Sequence, residues 1–383
     1  MKNLLKIVAD SKIPFLKGVL DEYAHMVYSP GDEVNAEMVE DADAIITRTR
    51  TKCNAALLQG SKVKFIASAT IGFDHIDTAW CEANGVKWTN APGCNSESVK
   101  QYVGAVLALL ITEKNWSLKE RSIAVVGVGN VGSKVSAMAK AFGMTVYEID
   151  PPRARVEKDK TFYSLEEVVN KVDIVTFHTP LVQEGEDKTY YLCDEDLLSQ
   201  MKSDAFVINS SRGEVVNGDH LKKVLRNKNI GGAVLDVWEK EPDIDQELLD
   251  LVWIATPHIA GYSQDGKAKG TQMSVQAISK FFNLGLDEWK ASGLPQPDNA
   301  EWMIDCAGLS HDEVIAQVIL HTYSLMRDDA SLRQDKSTFE FLRGAYPIRR
   351  EFQAYNISLL NGNEHIQKVL LSLGFKQVKM VDH

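Results

Sequence analysis

The chain has 383 residues, which is too many for one small core and predicts two or three domains. With 44% hydrophobic and 25% charged residues, its composition is that of an ordinary globular protein. The formal net charge of -11 at pH 7 argues against a general nucleic-acid partner, which would need a basic face. It also means that an acidic ligand would need a local cluster of basic residues.

The five cysteines form no CxxC pair and have no histidine tract beside them. This pattern favours reduced thiols over a disulfide framework, and we expect no metal site. The N-terminus lacks the apolar core of a signal peptide, and no run reaches the roughly 18–20 apolar residues of a membrane span. We therefore expect a cytoplasmic protein without a membrane partner.

The first 90 residues alternate short apolar runs with turns and helical stretches; the runs are LLKIVAD, ADAIITR, VKFIASA and GVKWTN. This rhythm is typical of an α/β layer. From Asn95 onward, apolar residues recur at three- and four-residue steps as far as Ile111. That spacing predicts a long amphipathic helix, and its place before the next motif suggests that it joins two domains.

Residues 121–261 contain six further strand-like runs with helical segments between most of them: RSIAVVG, MTVYEID, VDIVTFHTP, DAFVINSS, GGAVLDVW and VWIATPH. The alternation predicts a doubly wound parallel sheet of the Rossmann type. Ser164 and Glu167 have the spacing of a capping box that opens one of the helices.

After a helical stretch, AKGTQMSVQAISKFFN, the break ASGLPQPDNAEW predicts a domain boundary. The tail beyond it has a Ser310–Glu313 capping box, one apolar helix and two strand-like runs, and we find no catalytic motif in it. We expect a small α+β module for interaction or dimerisation. Arg349 and Arg350 could reach a neighbouring subunit's site, but we expect a surface pair.

The run GVGNVG follows the apolar run IAVV directly and places glycines at positions 127, 129 and 132. Gly127 permits a tight strand-to-helix turn, Gly129 lets the backbone approach a pyrophosphate, and Gly132 lets helix and strand pack closely. The helix N-terminus is then available for the anion. We expect these glycines, with Asn130 and Val131 of the same turn, to bind a dinucleotide.

Asp150 ends the run MTVYEID, 18 residues after Gly132. An acidic side chain at this place accepts hydrogen bonds from ribose hydroxyls and repels a 2′-phosphate, so the sequence predicts NAD as the cofactor. Arg153, just beyond, leaves NADP as the alternative, because a nearby arginine can bind that phosphate.

Arg212, Glu241 and His258 each lie just past one of the predicted strands. Loops that leave the carboxyl ends of parallel strands converge on one crevice, so the three side chains are expected to meet. An arginine binds a carboxylate bidentately, and histidine exchanges protons near neutral pH. A carboxylate on the other imidazole nitrogen would fix the tautomer. We therefore expect oxidation of a hydroxy acid, with His258 as the base.

These motifs, with SSRGEVV, LDVWEKEP and TPHIAG, resemble the D-2-hydroxyacid dehydrogenases over about residues 5–290. The resemblance implies that Arg212 holds the substrate carboxylate, Glu241 supports the base, and His258 is the acid/base. It also places further residues against NAD, namely Thr179, Ser210, Ser211, Asp236 and Gly261. The resemblance disfavours formate dehydrogenases of the same fold, which lack the carboxylate–histidine pair.

The resemblance implies three domains. These are a flavodoxin-like substrate domain (1–95 and 262–290), an NAD-binding Rossmann domain (96–261) and a C-terminal α+β dimerisation domain (291–383) of a homodimer. The tail, with the runs RTRTK, SATIGFDHID, NAPGCN and HIAGYSQDGKAKGT, resembles one branch of the family. That branch oxidises a phosphorylated four-carbon hydroxy acid in pyridoxal 5′-phosphate synthesis.

Arg48, Arg50 and Lys52 form a basic cluster in an otherwise acidic chain, consistent with a phosphorylated substrate, although a solvated loop would look the same. The resemblance implies Thr49 and Thr70 as substrate contacts, with Tyr262 closing the other side and Arg48 beside them. Family members often carry serine where Thr49 stands, so the hydroxyl is kept but its geometry is altered.

Two alternatives stay open at this point. One is another D-2-hydroxyacid dehydrogenase, acting on 3-phosphoglycerate or glycerate. The other is a nucleotide-sensing interaction protein, because corepressors share the fold. Of the other histidines, we expect His178 to cap a strand end beside the cofactor and His75 to have a structural role in its loop.

Overall fold

The computed structural model describes residues 4–158 and 160–381, and the chain divides into two compact units. The first unit comprises residues 1–95 and 263–295, and the second comprises residues 96–262 and 296–383. The tail therefore packs in the same unit as the predicted NAD-binding segment. In the described part of the chain, no helix has both the length and the apolar character needed to cross a membrane.

The first unit is built on a five-stranded parallel sheet in the order β2-β1-β3-β4-β5. Its elements up to residue 95 are β1 (Leu5–Asp10), β2 (Ala24–Ser29), α1 (Ala36–Val39), β3 (Ala44–Thr47), α2 (Ala55–Leu58), β4 (Phe65–Ser68), α3 (Thr78–Ala83) and β5 (Lys87–Thr89). Both faces of the central strands are buried, because alternate residues belong to two separate apolar clusters. The four predicted strands are present.

Strand β2 was not predicted. It forms the edge of the sheet, and four of its six residues are exposed or half-buried. An edge strand of this kind has no continuous apolar run, which was the signal used for the other strands.

The second unit contains a six-stranded parallel sheet in the order β11-β10-β9-β8-β6-β7. Its elements are α4 (Ser96–Lys114), β6 (Ser122–Val126), α5 (Gly132–Ala141), β7 (Thr145–Ile149), α6 (Pro151–Val156), α7 (Leu165–Val168), β8 (Ile174–Phe177), α8 (Glu195–Gln200), β9 (Phe206–Asn209), α9 (Gly218–Arg226), β10 (Gly232–Leu235), α10 (Gln246–Leu251) and β11 (Ile254–Ala255). The doubly wound sheet and its six strands are confirmed. The capping box of Ser164 and Glu167 is formed.

Strand β6 lies between β7 and β8, so the strand order reverses at this point. Loops on the two sides of such a reversal diverge and leave a crevice at the carboxyl ends of the strands, which is where ligands bind in open α/β sheets. The glycine run that follows β6 therefore lies at the switch point of the sheet.

The chain returns to the first unit through α11 (Gln264–Phe282). The side chains of Val275 and Ile278 on this helix join the apolar cluster on one face of the first sheet. The Ser263 hydroxyl caps the helix by accepting a hydrogen bond from the Gly266 N–H at 2.8 Å.

The tail forms a three-stranded parallel sheet, in the order β12-β13-β14, with helices beside it. Its elements are β12 (Glu301–Asp305), α12 (His311–Thr322), α13 (Leu325–Gln334), α14 (Phe339–Gly344), β13 (Asn356–Leu360), α15 (Glu364–Leu373) and β14 (Gln377–Val381). The capping box of Ser310 and Glu313 is present. Strand β12 was not predicted; it begins in the last two residues of the predicted break and continues to Asp305.

The predicted long helix is present as α4, but it is buried on nearly all sides, including its polar side, so its amphipathic character does not reflect an exposed face. The tail covers the side that carries its polar residues. Ser98 donates to Glu351 at 2.9 Å, Lys100 to the Leu373 carbonyl at 2.7 Å, and Gln101 to the Arg350 carbonyl at 2.9 Å. A buried polar side chain is tolerated when it is hydrogen-bonded in this way.

Arg349 and Arg350 are only 2% and 8% exposed, so the expected surface pair is wrong. The two arginines lie on the segment that packs against α4, where the Arg350 carbonyl accepts from Gln101. Two adjacent arginines in a sequence are expected to be solvated, because arginine is rarely buried. The main-chain carbonyl groups that accept from Arg349 (Ser98, Ile259 and Ala260) come from distant parts of the chain.

Candidate active site

The turn after β6 has the shape that a dinucleotide requires. Gly127 has a φ of +85°, and a Cβ there would lie 2.7 Å from the His178 carbonyl oxygen. A Cβ on Gly132 would lie 1.9 Å from the Gly127 carbonyl oxygen, so only glycine fits, whereas a Cβ on Gly129 would meet nothing within 4 Å. The two outer glycines thus allow close packing of the backbone, and the middle one leaves open space where a pyrophosphate would approach.

Two further groups fit bound NAD. Asp150 stands at the end of β7, where its carboxylate accepts from the Val128 N–H at 2.8 Å and the Arg153 N–H at 3.1 Å. These bonds hold the carboxylate at the edge of the glycine turn. On the other side of β6, the Thr179 hydroxyl oxygen is buried with no hydrogen-bond partner among the described residues. Because buried hydroxyls are normally paired, this orphan oxygen fits a cofactor contact.

Arg153 is engaged elsewhere, which favours NAD over NADP. Its guanidinium donates to Glu157 at 2.6 and 2.7 Å and to the Val128 carbonyl at 2.5 Å. An arginine that serves a 2′-phosphate would need these donors for the ligand.

The segment that follows β9 contains two further residues that are expected to contact NAD, Ser210 and Ser211. Ser211 donates from its N–H and its hydroxyl to Asn209, at 3.1 and 2.8 Å, and Ser210 lies 3.5 Å from His178 Nδ1. Burial lowers the pKa of His178 to about 3, so this imidazole is neutral at physiological pH. A neutral ring fits the expected structural place at the strand end, where Thr176 contacts its other nitrogen at 3.0 Å.

Glu241 and His258 form a close pair. His258 Nδ1 lies 2.7 Å from Glu241 Oε2, while Glu241 Oε1 accepts from the Trp238 N–H at 2.9 Å. Burial opposes ionisation of Glu241, but the hydrogen bonds from His258 and Trp238 and the charge of Arg343 lower its pKa below the ordinary value. A carboxylate on Nδ1 leaves Nε2 as the nitrogen that can accept a substrate proton.

The three expected catalytic residues leave neighbouring strands of one sheet. Arg212 follows β9, Glu241 follows β10 and His258 follows β11, and these strands are adjacent in the order β11-β10-β9. The Arg212 guanidinium is half-buried and donates to the Ser211 carbonyl at 2.9 Å. All three side chains thus belong to the carboxyl-end edge, as the sequence predicts.

Asp236 is used for a different contact from the one expected. Its carboxylate is 1% exposed and accepts from the Thr256 hydroxyl at 2.6 Å and from the N–H groups of Ile259 and Ala260 at 2.8 and 2.9 Å. The side chain therefore holds the loop that carries His258, which runs on to Gly261. A contact of Asp236 or Gly261 with NAD stays a prediction.

The expected substrate residues of the first unit lie at the ends of β3 and β4. Arg48 donates from Nε to the buried Asp10 at 3.0 Å, so part of the basic cluster neutralises a buried carboxylate. Thr49 is exposed, and the Thr70 hydroxyl contacts the Ser68 hydroxyl at 2.9 Å and the Gly72 carbonyl at 3.1 Å. Their role toward a substrate stays a prediction.

The tail contributes an arginine that sequence reasoning missed. Arg343 on α14 lies with its guanidinium 5.7 Å from the centre of the Tyr262 ring, and its charge acts on Glu241. Tyr346 packs edge-on against Tyr262 at 5.9 Å. The signal available in sequence was only the cluster of basic and aromatic residues in LRGAYPIRREF, which predicts no particular contact.

Comparison with known proteins gives the family. A model described as the NAD binding domain of D-isomer specific 2-hydroxyacid dehydrogenase matches residues 110–260. A second, described as a domain of unknown function, matches residues 294–374. The chain is 46% identical to an erythronate-4-phosphate dehydrogenase from Bacteroides fragilis, over 92% of this chain and 99% of that one.

The chain belongs to the D-isomer-specific 2-hydroxyacid dehydrogenase family, in its erythronate-4-phosphate dehydrogenase branch. A member of the branch from Escherichia coli O157:H7 is 38% identical over 98% of this chain and 99% of its own length. The expected resemblance, enzyme class and NAD dependence are therefore confirmed.

A solved structure of D-lactate dehydrogenase from Aquifex aeolicus with NAD and lactic acid has a TM-score of 0.62 and 25% identity. The match covers 97% of that chain but 74% of this one. About a quarter of this chain thus has no counterpart in that structure.

Proposed function

We propose that this chain oxidises 4-phospho-D-erythronate to 2-oxo-3-hydroxy-4-phosphobutanoate, in the route to pyridoxal 5′-phosphate. The near-full-length similarity to erythronate-4-phosphate dehydrogenases supports the substrate. The Glu241–His258 pair, at the carboxyl-end edge of the same sheet as a glycine turn that fits a dinucleotide, supports the chemistry and is the observation that carries it.

The oxidation removes two hydrogens from the substrate. The glycine turn, Asp150 and Thr179 would hold NAD, which would supply the acceptor for the hydride that leaves C2 with its electron pair. We assign the hydroxyl proton to His258 Nε2, so that the C2–O bond becomes a carbonyl as the O–H bond breaks. Glu241 on Nδ1 stabilises the imidazolium that results, and Arg212 binds the substrate carboxylate bidentately.

Substrate choice is tested by turnover, followed as the absorbance of NADH. We expect kcat/KM for 4-phosphoerythronate to exceed that for 3-phosphoglycerate or glycerate, because the relatives are named for that acid. Arg343 beside Tyr262 adds positive charge for an anionic ligand. Equal or better turnover of 3-phosphoglycerate would contradict the assignment and favour another member of the family.

We also propose a homodimer formed through residues 291–383. Among the described residues, the tail carries six of the eleven exposed large apolar side chains: Met303, Met326, Phe341, Ile348, Leu371 and Met380. Monomeric proteins rarely concentrate such side chains in one region, and interfaces between subunits bury them.

Introducing a single charged side chain at an exposed apolar position of the tail tests whether the tail forms the dimer interface. Phe341 is 70% and Met303 is 60% exposed, so we expect Phe341→Glu or Met303→Glu to yield monomers at protein concentrations where the parent is a dimer. Light scattering over a dilution series measures this. Val156→Glu, at a side chain 78% exposed outside the tail, is the control and should stay dimeric. Unchanged dimers in both tail variants would contradict the proposal.

Deleting the tail is a poorer test, because it would expose α4.

The five cysteines are free and buried, and burial raises the pKa of the Cys53 thiol to about 12. Such thiols are inert packing groups. We infer from them a reducing compartment, the cytoplasm, which agrees with the metabolic role proposed above.

A further inference from the structure

Arg349 is a buried cation that the chemistry described above does not use. Its guanidinium donates to the carbonyl groups of Ile259 at 3.3 Å, Ala260 at 2.5 Å and Ser98 at 3.4 Å. The Tyr323 ring lies 4.5 Å from its Cζ atom. Burying a charge is unfavourable unless it is bound by polar groups. Two of these three carbonyl groups belong to the loop that follows His258.

That loop has a backbone conformation that needs support. His258 has a φ of +55°, in the left-handed region that is unfavourable for a residue with a side chain. Such a conformation persists only where the surroundings hold it. The hydrogen bond from the His258 N–H to the Asp236 carbonyl at 2.7 Å is one such restraint.

The loop is bound from both sides of its backbone. Its N–H groups, at Ile259 and Ala260, donate to the Asp236 carboxylate. Its carbonyl groups, at the same two residues, accept from Arg349. The peptide group that joins Ile259 and Ala260 is therefore fixed between an anion of the sheet and a cation of the tail, and the peptide groups before and after it are each held by one of the two. Only a planar guanidinium offers several donors in fixed directions for such neighbouring carbonyl groups.

We propose that Arg349 is a positioning residue for His258. By binding the carbonyl groups of residues 259 and 260, it fixes the backbone that directs His258 Nε2 toward the substrate. The C-terminal segment thus contributes to catalysis within its own chain, independently of any contact between subunits. The inference rests on the proposed acid/base role of His258.

The test compares Arg349→Met and Arg349→Lys in the full-length enzyme. A displacement of about 1 Å at a reacting group costs on the order of 10²-fold in rate, so we expect Arg349→Met to lower kcat by about that factor. The affinity for NAD, measured by fluorescence titration, should be unchanged. The deuterium isotope effect on kcat with substrate labelled at C2 should rise toward its intrinsic value. Arg349→Lys should recover part of kcat, because an ammonium can still bind one carbonyl.

Arg333→Met is the matched control. Arg333 also lies in the tail and also donates to main-chain carbonyl groups, of Leu249 at 2.5 Å and Val252 at 2.9 Å. Within the described part of the chain, it forms no hydrogen bond with the loop after His258. We expect it to lower the melting temperature and leave kcat and the isotope effect unchanged. An equal loss of kcat in Arg333→Met, or a normal kcat in Arg349→Met, would overturn the proposal.

Two further measurements keep the test decisive. If Arg349→Met does not fold, Arg349→Lys carries the test, and a parental kcat and isotope effect in it would overturn the proposal. His258→Asn in the same assay distinguishes a failure of the Arg349 proposal from a failure of the proposed acid/base role of His258. Full activity in that variant would refute the role of His258 itself, whatever the Arg349 variants show.

Discussion

Replacing His258 with asparagine is expected to lower kcat by about 10²- to 10⁴-fold, the usual contribution of a positioned general acid/base. The proton of the substrate hydroxyl then has no acceptor at the place that Nε2 occupies. Asparagine suits the position, because it tolerates the left-handed backbone that His258 adopts at a φ of +55°. The loop should therefore keep its shape, and the loss should reflect chemistry.

Steady-state kinetics and NAD titration of the same preparation check this expectation. NAD binding should be retained, because the substitution leaves the glycine turn, Asp150 and Thr179 unaltered. His365→Asn, at an exposed position of α15, is the control and should keep parental kcat. A nucleotide-sensing protein would instead show no turnover to lose, and its binding to a partner would be unaffected.

Replacing Arg212 with lysine is expected to lower kcat/KM by about 10- to 100-fold, the value of one hydrogen bond to a charged group. Lysine keeps the positive charge but presents a compact ammonium, which cannot bind both carboxylate oxygens in one plane. The loss should appear in KM, since the carboxylate is held in the ground state, and in kcat, since the substrate is no longer oriented.

Arg226→Lys provides the comparison. Arg226 pairs with Glu247 on the surface, with a side chain 50% exposed, and exposed ion pairs contribute little. It should leave both kinetic constants unchanged. Near-parental kcat/KM in Arg212→Lys would contradict the carboxylate-binding role and point to a site where charge alone matters.

The sequence predicts most of what surrounds the cofactor, because that information is local. Strands β6 and β8 to β11 are mainly apolar runs, since both of their faces are buried. Gly127 and Gly132 follow from steric limits within one turn. The order of Arg212, Glu241 and His258 after successive strands follows from the parallel topology alone.

The contributions of the tail could not be predicted, because they depend on contacts between distant parts of the chain. Arg349 and Arg343 each look like surface charges in sequence, and nothing local indicates that one binds the loop after His258 and the other faces Tyr262. The burial of α4 has the same cause, since its polar residues find partners only when the tail covers them. The edge strand β2 was not predicted for a different reason, which is that its apolar pattern is weak.

The loop after His258 also has a consequence for how the enzyme is made. Domains fold as the ribosome releases them from the N-terminus. The glycine turn, Glu241 and His258 all leave the ribosome before Arg349, which lies in the last part of the chain. A growing chain therefore acquires every cofactor-binding residue before the arginine that holds its acid/base loop. If Arg349 positions His258 as proposed, the acid/base loop gains this support only after the tail has been synthesised and has packed against α4.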